Sequence, residues 1–114
     1  MARGWVIVGR NVRCGRGELD LIACDGRTLV VGEVKTLAAK RAGGFSPFES
    51  IGVQKQRQIR RLASAWLSGD DAVDGAGDVV VAPRGTSELR FDAFAVVVET
   101  RTGAFEITHL EGAF

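Results

Sequence analysis

One stretch constrains the fold more than any other: GELDLIACDGRTLVVGEVKT, residues 17–36. Two apolar runs, Leu19–Cys24 and Thr28–Lys35, flank an Asp25-Gly26 dipeptide, and that pattern predicts a β-hairpin. With the turn at Asp25-Gly26, Cys24 pairs with Arg27, Asp20 faces Val31, Glu18 faces Glu33, and Arg16 lies opposite Lys35. Paired residues, and residues two apart on a strand, point to the same side of a sheet. Glu18, Asp20, Glu33 and Lys35 are therefore expected on one face, at the end of the hairpin away from the turn. Ile22, Leu29 and Val31 share that face. Leu19, Leu21, Val30 and Val34 occupy the other, so both faces are apolar enough to be covered.

Four charges at the rim of a buried face need a reason. In this register Asp20 and Glu33 are diagonal neighbours, ~7–8 Å apart or less. Both carboxylates can reach one cation with metal–oxygen bonds of ~2.0–2.6 Å. A bound cation removes the repulsion between facing carboxylates. Lys35 follows Glu33 by one strand repeat of ~6.6 Å, where an ammonium can orient an attacking water and balance developing charge. All-oxygen ligands favour Mg²⁺ or Mn²⁺ over Zn²⁺, and such a site suits phosphodiester hydrolysis. The competing reading is a solvated strand end whose carboxylates pair with Arg16 or Arg13.

The rest of the chain reads as one domain, residues 1–114, of alternating strand and helix signals. Trp5–Arg13 is a strand. Leu37–Phe48 is a loop broken by Gly43-Gly44 and Pro47. Val53–Ser68 is a helix, with Ile59, Leu62, Ala63, Trp66 and Leu67 on an apolar stripe and Gly69 as its stop. Residues 69–88 form a long surface loop with a short strand at Val79–Ala82. Arg90–Val98 and Ala104–His109 are two further strands. This order predicts an α/β or α+β fold on one mixed sheet.

Composition excludes several classes. No apolar run approaches the ~20 residues of a membrane-spanning helix, and MARGWVIVGR has no secretory h-region, so the chain reads as cytoplasmic with no membrane partner. Cys14 and Cys24 match no zinc or disulfide framework and read as buried thiols. His109 reads as a structural hydrogen-bonding residue. Nothing indicates a small-molecule cofactor. Net charge is only +1, but residues 35–61 hold seven basic residues and one acidic, while residues 62–114 hold three basic and nine acidic. The positive middle predicts a polyanion-binding face of Lys40, Arg41, Lys55, Arg57, Arg60 and Arg61.

Asp20, twelve residues, then Glu33-Val34-Lys35 resembles the PD-(D/E)xK nuclease signature, with Leu19 in place of its Pro. GWVIVGRNVRCGRGELDLIACDG, LVVGEVKT, the Lys55-Gln56-Arg57 helix start, RFDAFAV and ITHLEGAF resemble the YraN-like family of small bacterial proteins. That family is a group of endonuclease-like proteins distantly similar to archaeal Holliday-junction resolvases. The resemblance covers nearly the whole chain except residues 69–88. It implies a restriction-endonuclease-like α/β fold, a single mixed sheet with flanking helices. It implies a metal-dependent endonuclease acting on DNA, including branched or structured DNA. Asp20, Glu33 and Lys35 would be catalytic. Asp20, Glu33, the Val34 carbonyl and Glu18 would hold Mg²⁺ or Mn²⁺. Arg16 and the positive middle would contact the nucleic acid. The resemblance also implies a helix bearing a glutamate ahead of Gly4-Trp5. The chain starts at Met1, so that helix is expected to be missing, activity to be weakened, and apolar surface at Trp5, Val6 or Val8 to be left open, where a second copy could cover it as a homodimer. The alternative is a non-catalytic module of the same fold that binds nucleic acid or protein.

Overall fold

A computed structural model describes residues 4–38 and 51–114. The elements are β1 (Val6–Cys14), β2 (Gly17–Asp25), β3 (Thr28–Ala38), α1 (Val53–Leu67), β4 (Ala72–Val73), β5 (Glu88–Val98) and β6 (Phe105–Leu110). They build one six-stranded sheet in the order β4-β1-β2-β3-β5-β6. All neighbours are antiparallel except β3 and β5, which run parallel, so the sheet is mixed. The crossover between β3 and β5 contains α1, as a parallel connection requires.

The hairpin is present, but its register is not the expected one. Asp25 pairs with Thr28 and Cys24 with Leu29, so the loop is Gly26-Arg27 rather than Asp25-Gly26. The reason lies in the turn. A loop at Asp25-Gly26 would be type I′, with both central residues at positive φ, whereas type II′ asks this only of the first. Gly26 has φ +62°, and Arg27 is not left-handed. The same Gly-Arg dipeptide closes the preceding hairpin, where Cys14 pairs with Gly17 and Gly15 has φ +58°. Arg16 therefore stands in that turn, not opposite Lys35.

α1 covers one face of the sheet. Its residues Ile59, Ala63 and Trp66 are buried against Val12, Cys14, Leu19, Ile22, Cys24, Leu29, Val31 and Phe91. Leu62 is partly buried there, but Leu67 is exposed, and the helix ends one residue before Ser68. On the other face Trp5 packs with Ala23 and Val30, joined by Ile7 and Phe94. Gly32 belongs to this face: a Cβ there would stand 2.8 Å from Phe94 Cε2. Trp5 is thus buried, and Val6 is the exposed residue at this end.

The segment 69–88 is more than a loop. Ala72–Val73 pairs with β1, and Val73 bridges to Val79. Val80 is buried under α1, where its carbonyl accepts from Trp66 Nε1 at 3.0 Å. The strand expected at Val79–Ala82 is reduced to that single bridge. The expected flanking helices come down to one among the described residues. Most of the Leu37–Phe48 loop, with Lys40 and Arg41, lies outside the described residues. No described helix is long and apolar enough to cross a membrane.

Candidate metal and nucleic-acid site

The sheet forks where the charges gather. The ladder between β2 and β3 ends at Leu21–Gly32. Below that point β2 continues beside β1 as far as Gly17, while β3 continues beside β5 from Glu33 to Ala38. Asp20 stands at the apex, and its Oδ2 accepts the backbone N–H of Val34 at 2.8 Å. A side chain has replaced the ladder bond, and the strands part.

The backbone of β1 explains why. Val12 pairs with Leu19 and Arg10 with Leu21, so the register brings Asn11 opposite Asp20. Asn11 has φ +49°, a left-handed conformation that Asn tolerates better than most residues. Leu19 and Ile22 both join the α1-side core, although they are three residues apart. Leu21 turns to the opposite face, with its Cβ beside Gly32 and near Phe94. Alternation is therefore broken once near Asp20.

This break corrects the expected grouping. Carried one step beyond Leu21–Gly32, the register sets Asp20, not Glu18, against Glu33. Glu18 pairs with Arg13 and is exposed, lining a separate depression with Arg13, Gly15, Arg16 and Gly17. It does not join Asp20 and Glu33, and among the described residues no three acidic, His or Cys side chains gather as metal ligands.

Asp20, Glu33, Val34 and Lys35 are brought together. Glu33 is only 5% exposed. Burial pushes its carboxyl pKa up, and the charge of Asp20 and a hydrogen bond with it push the same way; Lys55 and Lys35 oppose them. Lys55 Nζ lies 3.8 Å from Glu33 Oε1. Lys35 is half-buried two residues along β3. The N–H and C=O of one extended residue point to the same side of a strand. Because the Val34 N–H meets Asp20, the Val34 carbonyl also faces the opening. An open depression of about 400 Å³, lined by Arg10, Asn11, Asp20, Leu21 and Val34, reaches the Asp20 end of this group.

These donors suit a hard divalent ion. Two carboxylates and a carbonyl supply oxygen only, and Mg²⁺ keeps several waters in such sites. A close pair of like charges, one of them buried, is the arrangement a cation relieves.

Arg57 and Arg61 are exposed one turn apart on α1, and Arg60 lies over the Phe91 ring at 4.6 Å. Gln56 donates to the Ile51 carbonyl at 2.9 Å.

One cluster was not read from the sequence. Asp92 is fully buried and accepts from Arg90 Nε and Nη2, both at 2.8 Å, and from the Gly112 N–H at 3.0 Å. His109 Nε2 lies 2.7 Å from Asp92 Oδ2, the oxygen that Arg90 Nη2 also meets, and the His109 ring stacks on Phe94 at 4.4 Å. His109 is structural, as its isolation in sequence suggested. The available signal was an acid inside the apolar run RFDAFAV, which a buried strand carries only when the acid is paired.

Fold and site define a small α/β protein whose mixed sheet splits at a pair of carboxylates beside two lysines. The chain belongs to the uncharacterised protein family UPF0102, whose profile matches residues 1–96. It is 41% identical over 112 residues to a UPF0102 protein of Acidothermus cellulolyticus, an alignment covering 97% of this chain and 80% of that protein. It is equally similar, 41% over 112 residues, to one from Corynebacterium efficiens, covering 96% and 77%. A Mycobacterium marinum relative is 39% identical over 112 residues, covering 96% and 80%.

Proposed function

We propose that this protein is a metal-dependent endonuclease that hydrolyses phosphodiester bonds in DNA, with a restriction-endonuclease-like fold. The observation that carries this reading is the convergence of Asp20 and Glu33 at the fork, with Val34 and Lys35 beside them. Asp20, Glu33 and the Val34 carbonyl would hold Mg²⁺ or Mn²⁺, which supplies Lewis acidity at a phosphoryl oxygen when bound. Lys35 would orient water and offset charge on the phosphate. Val34 keeps Asp20 in place through its N–H. Lys55 lies close enough to Glu33 to favour its ionised form.

The test has two arms. Isothermal titration with Mn²⁺ is expected to show binding that Asp20→Asn weakens at least tenfold. Incubation of four-way and flap DNA with Mn²⁺ is expected to give cleavage that EDTA and Lys35→Ala abolish. Metal binding without cleavage would leave a metal-dependent DNA-binding protein. Neither metal binding nor cleavage would overturn the enzyme reading in favour of a non-catalytic module.

A further inference from the structure

We propose that Lys55 is the protein's own counter-ion for the carboxylate pair. It neutralises Glu33 before a divalent ion binds, gives way when the ion arrives, and then turns to the DNA phosphate. Metal binding and DNA binding are thereby coupled through one side chain. The inference rests on the metal and nucleic-acid reading above and deepens it.

The two partners are unequally held. The Glu33 side chain is 7% exposed and the Lys55 side chain 43%. Glu33 is fixed in β3, paired with Ala93 of β5. Lys55 reaches it from the first turn of α1. At 3.8 Å the contact is an ion pair, but it exceeds hydrogen-bond range. Among the described residues Glu33 is the one ion partner of Lys55. The helix itself does not hold the ammonium there, because the first turn has no acidic residue and the positive end of the helix dipole faces it. A point charge on a flexible stem, held by attraction alone, is the member of the pair that can move.

Charge sets the direction of that movement. With both carboxylates ionised, Asp20 and Glu33 balance Lys35 and Lys55, the two cations that act on Glu33. A divalent ion on the same oxygens leaves both ammonium groups in surplus, and like charges at this range repel. Lys35 is half-buried in β3, so Lys55 is the one free to leave. Arg10, exposed beside Asp20 in the same depression, adds to the surplus. A phosphate restores the balance, and the released ammonium can meet it. Each ligand thus improves the site for the other, which is a reciprocal coupling.

The experiment compares the parent protein with Lys55→Met, Glu33→Gln and Arg27→Met, the last an equal charge change in the turn at the other end of the hairpin. Acylation of amines followed by mass spectrometry is expected to label Lys55 of the parent severalfold faster once Ca²⁺ is bound. In Glu33→Gln the labelling should be fast with or without the ion. Isothermal titration is expected to show Mn²⁺ binding by Lys55→Met about three- to tenfold tighter than by the parent, since one like charge has gone. Arg27→Met should titrate like the parent. Fluorescence anisotropy with duplex DNA, in Ca²⁺ to prevent cleavage, should give Lys55→Met a salt slope flatter than the parent's by about 1, and in EDTA the two slopes should agree. Parent-like or weaker Mn²⁺ binding by Lys55→Met, or Lys55 labelling that the ion leaves unchanged, overturns this proposal alone. Equal slopes in Ca²⁺ overturn the transfer to phosphate. Failure of the parent to bind Mn²⁺ overturns the metal reading and this proposal with it.

Discussion

At the scale of single residues, two buried carboxylates have opposite pH signatures. For Asp92, burial by itself would raise the pKa, but hydrogen bonds from Arg90, His109 and Gly112 and the Arg90 charge outweigh it and hold the group below its usual range. A depressed carboxylate contributes stability that is complete above its unfolded pKa and is lost as pH falls through the folded one. The Asp92 contribution should therefore hold from neutral pH down to the ordinary carboxylate range and vanish below it. Asp92→Asn should cost about 2 kcal/mol at neutral pH, from weakened charged hydrogen bonds, and less in acid. Urea denaturation at several pH values checks both points. Glu33 has the reverse sign. Burial first, then Asp20, raises its pKa, so the folded state is most favoured below the unfolded value and loses stability as pH rises through the folded one. Glu33→Gln should raise neutral-pH stability by about 1 kcal/mol, the usual trade at a functional site, while weakening Mn²⁺ binding. At Asn11, φ +49° predicts that Gly is tolerated and that Val costs about 1–2 kcal/mol.

At the scale of elements, α1 is held by packing and by its C-terminal end, where the Gly69 and Asp70 N–H groups donate to the Trp66 and Ala65 carbonyls, and not by its N-terminus. Its N-cap is Gly52, with no side-chain cap and no acidic residue in the first turn. A 15-residue helix with no N-terminal side-chain cap depends on its apolar stripe. Trp66→Ala should therefore cost about 3–5 kcal/mol. Trp66→Phe, which keeps most of the burial but leaves the Val80 carbonyl without its donor, should cost about 1–2 kcal/mol. Leu67→Ala, on the exposed side, should stay within about 0.5 kcal/mol. Thermal and urea unfolding of the three variants give the ranking. Lys55 stands in the first turn, where the helix dipole disfavours a cation, and Glu33 at 3.8 Å offsets that cost. A position unfavourable to the helix but favourable to the carboxylate pair fits a role at the site.

At the scale of the molecule, charge is separated along the chain, although the total is only +1. The fold turns part of that separation into geometry, because α1 carries Lys55 beside Glu33 and leaves Arg57 and Arg61 exposed. Binding to DNA should fall steeply with salt and depend little on sequence. Arg57→Glu/Arg61→Glu should flatten the log–log salt slope by about 2. Arg60 is left out of this variant because its contact with Phe91 also supports folding. An unchanged slope would make the helix surface an ordinary solvated face.

Local chemistry determined much of this in advance. Alternating apolar runs around Asp25-Gly26 called for a hairpin, the 3.6-residue period of Ile59, Ala63 and Trp66 called for a helix, and the parity of a two-residue loop put Asp20 and Glu33 together. That parity survived for Ile22, Leu29, Val31 and Glu33 even though the turn moved to Gly26-Arg27, because a shift of two in the pairing keeps a side chain on its face; Leu19, expected on the far face, lies in the α1-side core because alternation breaks near Asp20. Other features depend on contacts between segments distant in the chain. The face of Glu18 follows from the left-handed Asn11 on a neighbouring strand, and a pairing rule drawn from one hairpin contains no such kink. Asp92 could be buried because Arg90, His109 and Gly112 meet it; Arg90 is two residues away on β5, but His109 and Gly112 arrive only when β6 pairs with β5. The fork itself is tertiary. β2 and β3 part at Asp20, opposite the left-handed Asn11 of β1, and each stays paired to its other neighbour, β1 on one side and β5 on the other.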